Sequence, residues 1–159
     1  RSAGMTLSPF NAWVVLKGLE TLDLRAHRQS ENALALGRFV ESRVGGDQVL
    51  HPGLASFSQH DLAMRQMDAA GPIFSFVVPG GRAGAFAVLD ALELIDISNN
   101  IGDSKSLMCH PASTTHHNMG PEGRAEMGVE EGMLRFNVGL EDPADLIEDL
   151  EQAFARAGV

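Results

Sequence analysis

Several residue types are scarce in this chain of 159 residues, and each shortage limits what the protein can be. There is no tyrosine, lysine occurs only at positions 17 and 105, and Cys109 is the only cysteine. A single cysteine cannot form an internal disulfide, which fits a reducing, cytoplasmic compartment. No apolar run approaches the roughly 20 residues of a membrane span and no signal peptide is visible, so we expect no membrane partner.

Positive charge is also scarce, because 12 basic side chains face 21 acidic ones and the formal charge is -9. Nucleic acids and anionic membranes require clustered Lys and Arg, so neither is an expected partner. Much of the acidic excess lies near the C-terminus, and we interpret it as a solvated face rather than a metal site. This acidic cluster comprises Glu130, Glu131, Glu141, Asp142, Asp145, Glu148, Asp149 and Glu151.

What is present is typical of one globular domain, with 44% hydrophobic and 21% charged residues. The chain opens on Arg1 and has no methionine before Met5, so we expect it to be a piece of a longer protein.

Hydrophobic periodicity predicts that helices alternate with strands. Ser8-Pro9 begins the first helix, which is expected to bury a broad face, and Asp142-Pro143 begins the last. The order predicts a small α/β (α+β) sandwich with a sheet of about four strands and helices largely on one face. The predicted helices cover 9–22, 31–42, 60–67, 83–94, 121–127 and the residues from 143 onward; the predicted strands cover 48–51, 73–78, 94–98 and 133–138.

The segment 99–116 combines turn formers, hydroxyls, two imidazoles, a thiol and a lysine without helical or strand periodicity. Its polar groups would be unsatisfied in a core, so we expect a loop outside the core. Long polar loops in compact domains are usually functional. The segment is therefore expected to contact a small polar ligand.

Arg135 lies in the middle of the predicted strand 133–138, on the face opposite Leu134 and Phe136. A guanidinium at this position either faces water or points into a cleft. In a cleft it could bind a carboxylate through two parallel hydrogen bonds. The residues alone leave both interpretations open.

Two other patterns have both a structural and a functional interpretation. Cys109 and His110, with His116, suggest a metal site such as that of a metal-dependent hydrolase. However, the adjacent side chains of Cys109 and His110 diverge, which favours a loop corner at His110-Pro111. The run Pro-Gly-Gly-Arg-Ala-Gly at 79–84 joins a strand to a helix. It matches no phosphate-binding motif, so a tight turn with a close helix approach is favoured.

Motifs in the same order resemble the C-terminal part of the Cys/Met-metabolism enzymes that depend on pyridoxal phosphate. They lie at 7–13, 17–22, 51–54, 75–76 with 80–81, 102–107, 110–116 and 134–142, and cover nearly the whole chain. Cystathionine synthases and lyases of the family usually carry Ser-Leu-Gly and then Glu-Ser-Leu or Glu-Thr-Leu. Here 100–102 reads Asn-Ile-Gly and 105–107 reads Lys-Ser-Leu, which resembles the homoserine-ester sulfhydrylases, the O-succinyl branch more than the O-acetyl branch.

The resemblance implies a γ-replacement in methionine biosynthesis, in which sulfide replaces the succinate of an activated homoserine to give homocysteine. It implies that Arg135 binds the substrate α-carboxylate, that Asn100 and Ile101 lie over the substrate, and that Thr115 belongs to the motif supporting the arginine. It also implies pyridoxal phosphate as cofactor, an amino-acid ester and sulfide as substrates, and a homotetramer. Phe136-Asn137 departs from the Leu-Ser that usually follows this arginine.

The family's cofactor-binding lysine, phosphate-binding residues and ring-stacking tyrosine all precede the matched region. Neither Lys17 nor Lys105 occupies the motif of that lysine, and the chain has no tyrosine. Independently, Lys17 is expected to pair with Glu20, and no neighbour of Lys105 would lower its pKa. The resemblance therefore implies that 1–159 is the small C-terminal domain of a fold-type-I enzyme with its leading connecting helices. Without the large domain it should hold no cofactor, catalytic residue or metal and be inactive. The alternative is a non-catalytic, stand-alone module.

Overall fold

The computed structural model describes residues 6–159, so the first five residues of the predicted domain lie outside the described part. The helices are α1 Pro9–Leu19, α2 Leu22–Val44, α3 His60–Gln66, α4 Gly81–Ala91, α5 Gly120–Glu126 and α6 Pro143–Ala157. The strands are β1 Val49–Leu50, β2 Ile73–Val77, β3 Asp96–Ile97, β4 Leu107–Cys109 and β5 Met133–Asn137. Short 3-10 helices lie at Gly46–Gln48, Pro111–Ser113 and His117–Met119.

The strands form one mixed sheet in the order β1-β2-β5-β4-β3. Neighbouring strands are antiparallel except for β3 and β4, which are parallel. The predicted α/β class is confirmed, and the sheet has five strands where about four were expected. Because β5 is central, its residues are held by hydrogen-bonded neighbours on both sides.

The additional strand, β4, lies inside the segment 99–116, so the prediction that this whole segment is a loop outside the core is wrong. Leu107, Met108 and Cys109 are buried, and β4 pairs with both β3 and β5. Sheet pairing satisfies the backbone groups that were expected to need solvent. A three-residue strand is too short to show a period in the sequence.

One face of the sheet forms the core. Phe74 and Phe136 are register partners on this face, with ring centroids 5.5 Å apart, and both are buried. The helices α2, α4 and α6 cover these aromatic rings and pack on one another, as expected for helices largely on one face. Alternation along β5 then places Arg135 on the opposite face.

The start of the chain differs from the expectation. Ser8 caps α1 and Pro9 opens it, as predicted, but the predicted buried face is wrong because α1 has no buried residue. α2 begins at Leu22, earlier than the predicted residue 31. Its first turns are exposed and mostly polar and show no apolar stripe, so no sequence signal marks this part of the helix. Within residues 6–159, no helix is both long and apolar enough to cross a membrane.

The acidic cluster is not uniformly solvated, and that interpretation is wrong for Asp149 and Glu141. Asp149 is buried on α6, where its carboxylate accepts hydrogen bonds from the backbone N–H groups of Glu93, Leu94 and Ile95. Glu141 is half-buried and accepts hydrogen bonds from both the N–H and the hydroxyl of Ser106. Both carboxylates join elements distant in sequence, which a composition argument cannot detect.

The segment 79–84 makes the predicted tight turn. Gly80 has a φ of 83°. A Cβ on Gly84 would lie 1.9 Å from the carbonyl oxygen of Pro79, so only glycine lets the helix start this close to the strand end.

Candidate functional site

Arg135 lies in the central strand, on the sheet face opposite the aromatic core. Its register partners are Ser75 on β2 and Cys109 on β4. The side chain is half-buried, and its Nη2 donates a hydrogen bond of 2.8 Å to the backbone carbonyl of Asn99. The guanidinium is thus turned toward the segment after β3.

The charge of Arg135 is not neutralised by an acidic side chain. Among residues 6–159, no Asp or Glu forms an ion pair with Arg135. A guanidinium has five N–H donors in a planar fork. With a neutral carbonyl as its acceptor, the group can take a carboxylate ligand through two parallel hydrogen bonds.

The segment beside the guanidinium, residues 98–102, carries two of the predicted substrate-binding residues. Its start is fixed by a hydrogen bond from the Ser98 N–H to the Met108 carbonyl, 3.0 Å long. The side chains of Asn100 and Ile101 are exposed. The structure therefore brings the backbone that carries these residues next to Arg135, while their side chains remain open to a ligand.

Thr115 has a different environment from Arg135. Its hydroxyl is hydrogen-bonded to Nδ1 of His116 at 2.8 Å, and the side chain is exposed. The preceding Thr114 donates its hydroxyl hydrogen to the His110 carbonyl at 2.8 Å. The sequence did not single out Thr114, since neighbouring threonines give no signal of which one makes this contact.

Cys109 is a buried neighbour of Arg135 on this face. Burial raises the pKa of the Cys109 thiol, although the charge of Arg135 and the nearby Thr114 hydroxyl lower it in part. The thiol is therefore neutral near pH 7. A neutral neighbour leaves the positive charge of Arg135 available to a ligand.

His110 serves as a structural corner. Its backbone is extended, as predicted before Pro111. The ring nitrogens lie 2.8 Å from the Ser113 hydroxyl and 2.9 Å from the Glu131 carbonyl, and both are thus engaged. In the part of the chain that the structure describes, no three His, Cys, Asp or Glu side chains are grouped so as to hold a metal ion.

A cavity of about 470 Å³ lies between α4 and the ends of β3 and β4. Its lining includes Phe86 and Leu89 on one side and Asn99 and Cys109 on the other. The lining includes Asn99, whose carbonyl accepts the hydrogen bond from Arg135, but it does not include Arg135 itself. Arg135 is therefore connected to the cavity through the segment that carries Asn99.

Neither lysine has the environment of a cofactor-binding amine. Lys17 is exposed on α1 and forms the predicted ion pair with Glu20, at 3.0 Å. Lys105 is exposed and pairs with Asp96 at 3.0 Å, and the hydrogen bond and charge of Asp96 raise its pKa. A nucleophilic lysine needs a lowered pKa. These residues do not fit covalent attachment of pyridoxal phosphate.

Known proteins similar in sequence to this chain include enzymes of sulfur amino-acid metabolism. The sequence is 46% identical over 155 residues to the O-succinylhomoserine sulfhydrylase of Pseudomonas aeruginosa, covering 98% of this chain and 38% of the relative. It is 39% identical to the L-methionine gamma-lyase of Treponema denticola, over 94% of this chain and 37% of the relative. The chain thus spans less than two fifths of the length of these relatives.

A solved structure of a putative O-acetylhomoserine (thiol)-lyase from Campylobacter jejuni, which contains pyridoxyl-lysine phosphate, superposes with a TM-score of 0.89. Its sequence is 38% identical, over 96% of this chain and 37% of that protein. The sequence model of the Cys/Met-metabolism enzymes dependent on pyridoxal phosphate matches residues 1–155. These similarities show that the chain belongs to the Cys/Met-metabolism family of pyridoxal-phosphate-dependent enzymes.

Proposed function

We propose that this chain is the C-terminal domain of a transferase that replaces the succinate of O-succinylhomoserine with sulfide, giving homocysteine for methionine biosynthesis. The identity of 46% to an O-succinylhomoserine sulfhydrylase supports this choice over the other activities of the family. The scarcity of basic residues and the single cysteine support a cytoplasmic enzyme of small-molecule metabolism.

The observation that carries the proposal is that Arg135, on the sheet face opposite the core, has no acidic partner within residues 6–159. In the proposed enzyme the substrate α-carboxylate binds this guanidinium and takes the place of the Asn99 carbonyl. Fixing the carboxylate orients the Cα–H bond for proton removal. Asn100 and Ile101 then lie over the bound ester, and Thr115 belongs to the motif that supports the arginine.

The proposed enzyme holds pyridoxal phosphate and its catalytic residues in a large domain outside this chain. Two observations support a missing domain: the chain spans about 38% of its relatives, and the apolar residues of α1 are exposed. Alone, the chain is expected to be inactive, and the intact enzyme to be a homotetramer.

An assay of the intact protein tests the reaction. The protein that contains this chain, loaded with pyridoxal phosphate, is given sulfide and either O-succinylhomoserine or O-acetylhomoserine, and homocysteine is measured. We expect a higher kcat/KM for the succinyl ester. A preference for the acetyl ester would favour an O-acetylhomoserine sulfhydrylase, and use of cysteine or release of an oxoacid would favour a cystathionine γ-synthase or lyase.

The purified chain tests the domain assignment. Incubated with pyridoxal phosphate and then desalted, it should retain no visible absorbance from bound cofactor. Retained absorbance would contradict the proposal. If an intact protein containing this chain also failed to bind the cofactor, the chain would instead belong to a non-catalytic module of this fold.

A further inference from the structure

Two side chains of β5 hold the same neighbouring segment, residues 98–102. Arg135 donates to the Asn99 carbonyl at 2.8 Å, and the Gly102 N–H donates to Oδ1 of Asn137 at 3.0 Å. Arg135 and Asn137 are two residues apart on a strand, so they project from the same face. The two contacts lie near opposite ends of the segment.

Asn137 is a rigid anchor for its end of the segment. It is 1% exposed and is paired with Ile73 on one side and Leu107 on the other. Its Nδ2 has no hydrogen-bond partner among the residues that the structure describes. The bond from Gly102 is thus the contact that offsets the cost of burying the amide in this chain.

Gly102 lies where the segment turns. Its φ of 81° belongs to the left-handed region, which glycine adopts without steric cost. The side chains of Asn99, Asn100 and Ile101 are exposed and provide little packing. The path of the segment therefore depends on its few hydrogen bonds.

Contacts with other elements hold Ser98 at the start of the segment and Asp103 just beyond its end. Ser98 is bound to β4 through the Met108 carbonyl, and Gln29 donates to the Asp103 carbonyl at 2.7 Å. Inside, the Asn100 N–H donates to the hydroxyl of Ser98, which is part of the segment itself. Beyond Ser98, the side chains of Arg135 and Asn137 connect the segment to the sheet.

We propose that Asn137 is a positioning residue for the substrate: it holds the 98–102 segment against β5 when Arg135 releases the Asn99 carbonyl to bind a carboxylate. The inference rests on the proposed function of Arg135. When Arg135 changes partner, one of the two contacts with β5 is lost. The bond between Asn137 and Gly102 remains and keeps Asn100 and Ile101 beside the ligand.

The first test is hydrogen exchange of the Gly102 amide in the intact protein, at single-residue resolution. Asn137→Ala removes the acceptor, so exchange at Gly102 should accelerate by roughly tenfold. Asn137→Asp keeps an acceptor oxygen of the same reach and should retain the protection. Unchanged exchange in Asn137→Ala would overturn the proposal.

The second test is steady-state kinetics with the ester substrate. Asn137→Ala should raise KM about five- to tenfold with kcat changed less than about twofold, because the loss falls on substrate positioning. Asn32→Ala is the matched control, since Asn32 is also buried and donates to the carbonyls of Gly139 and Glu141. It should lower stability but leave KM and Gly102 exchange unchanged.

The two tests separate this inference from the proposed function. Faster exchange at Gly102 without a change in KM, or an equal rise in KM with Asn32→Ala, would overturn the positioning role. Exchange requires no substrate, so it reports on the segment whatever reaction the enzyme performs. Inactivity of the unmodified protein with both esters would instead overturn the proposed reaction.

Discussion

Among single residues, Arg135 has the largest expected effect on activity, because its charge has no acidic partner in the described chain. In the intact protein, Arg135→Ala should lower kcat/KM for the ester by about 100-fold, since an unpaired substrate carboxylate loses roughly 3 kcal/mol. Arg135→Lys keeps the charge but loses the planar fork of N–H donors, so its kcat/KM should lie between those of Arg135→Ala and the unmodified protein. Steady-state kinetics of homocysteine formation measure both.

Arg156→Ala is the control for that comparison. Arg156 is an exposed arginine at the end of α6 whose partner is Glu93, and exposed ion pairs contribute little. Its kcat/KM should equal that of the unmodified protein. If Arg135→Ala were as active as Arg156→Ala, Arg135 would have no role in binding substrate.

His51 makes folding stability depend on pH. It is fully buried, accepts a hydrogen bond from the Gly53 N–H on Nδ1, and packs edge-on against Phe74. Burial lowers the pKa of His51 below its usual 6.5. The unfolded chain therefore binds a proton as the pH falls through 6.5, while the folded chain resists it. The free energy of unfolding should therefore fall as the pH is lowered from about 7.5 to about 5.5.

Urea titrations across that pH range compare His51→Asn with the unmodified chain. Asparagine keeps an acceptor for the Gly53 N–H but cannot titrate, so the free energy of unfolding should fall less with decreasing pH in this variant. His27 has a pKa raised by its hydrogen bond to the Asp23 carbonyl and by the Asp23 charge, so it contributes with the opposite sign. His27→Asn should therefore not flatten the curve, and an equally steep curve for His51→Asn would contradict the assignment.

The sequence predicted single residues well where local alternation decides their position. Arg135 lies opposite Leu134 and Phe136 as the two-residue period requires, and Lys17 pairs with Glu20 three residues away on a helix. It did not indicate that Arg135 binds the Asn99 carbonyl or that Asn137 binds Gly102. Those contacts join residues 35 or 36 positions apart and depend on how the strands pair.

Among the helices, α6 is tied to the rest of the fold by Asp149. Burial by itself would raise the pKa of this carboxyl, but the hydrogen bonds from Ile95, Glu93 and Leu94 hold it below its usual 3.8. Asp149→Asn turns an acceptor into a donor that faces N–H groups. We expect it to reduce the free energy of unfolding at pH 7 by about 2 kcal/mol.

Denaturant titrations at several pH values check this expectation. Because the folded pKa is lowered, the contribution of Asp149 is complete above the usual pKa and is lost as the pH falls through 3.8 and below. The difference in free energy of unfolding between Asp149→Asn and the unmodified chain should therefore decrease as the pH is lowered. Glu148→Gln, on the exposed side of the same helix, should change stability little. If it lowered the free energy of unfolding as much as Asp149→Asn, the hydrogen bonds of Asp149 would not be what holds α6 in place.

Helices and strands were predictable when they carried a cap or a long period. The caps Ser8 and Asp142 accept hydrogen bonds where expected, and β2 and β5 lie where alternation placed them. β4 was missed because three residues give no period, and the early start of α2 was missed because its first turns are polar and exposed. The periodic apolar residues of α1 predicted burial that the chain does not provide.

For the chain as a whole, the notable feature is that the apolar side chains of α1 are exposed to solvent. Phe10 is 69% exposed and Trp13 54%, and Leu19 at the end of the helix is 57% exposed. Contiguous apolar patches of this kind usually mark interaction sites. In the proposed enzyme the large domain or a second subunit covers this helix.

The isolated chain should therefore self-associate through α1 as its concentration rises. Val15→Glu with Leu19→Glu places two charges four residues apart on one side of the helix and should prevent association without disturbing the core, because neither residue is buried. Sedimentation velocity over a concentration series measures this, with Met127→Glu as a control at another exposed apolar side chain. A chain that stays monomeric throughout, or a double variant that associates as strongly as the Met127→Glu control, would mean that α1 is not the surface that needs covering.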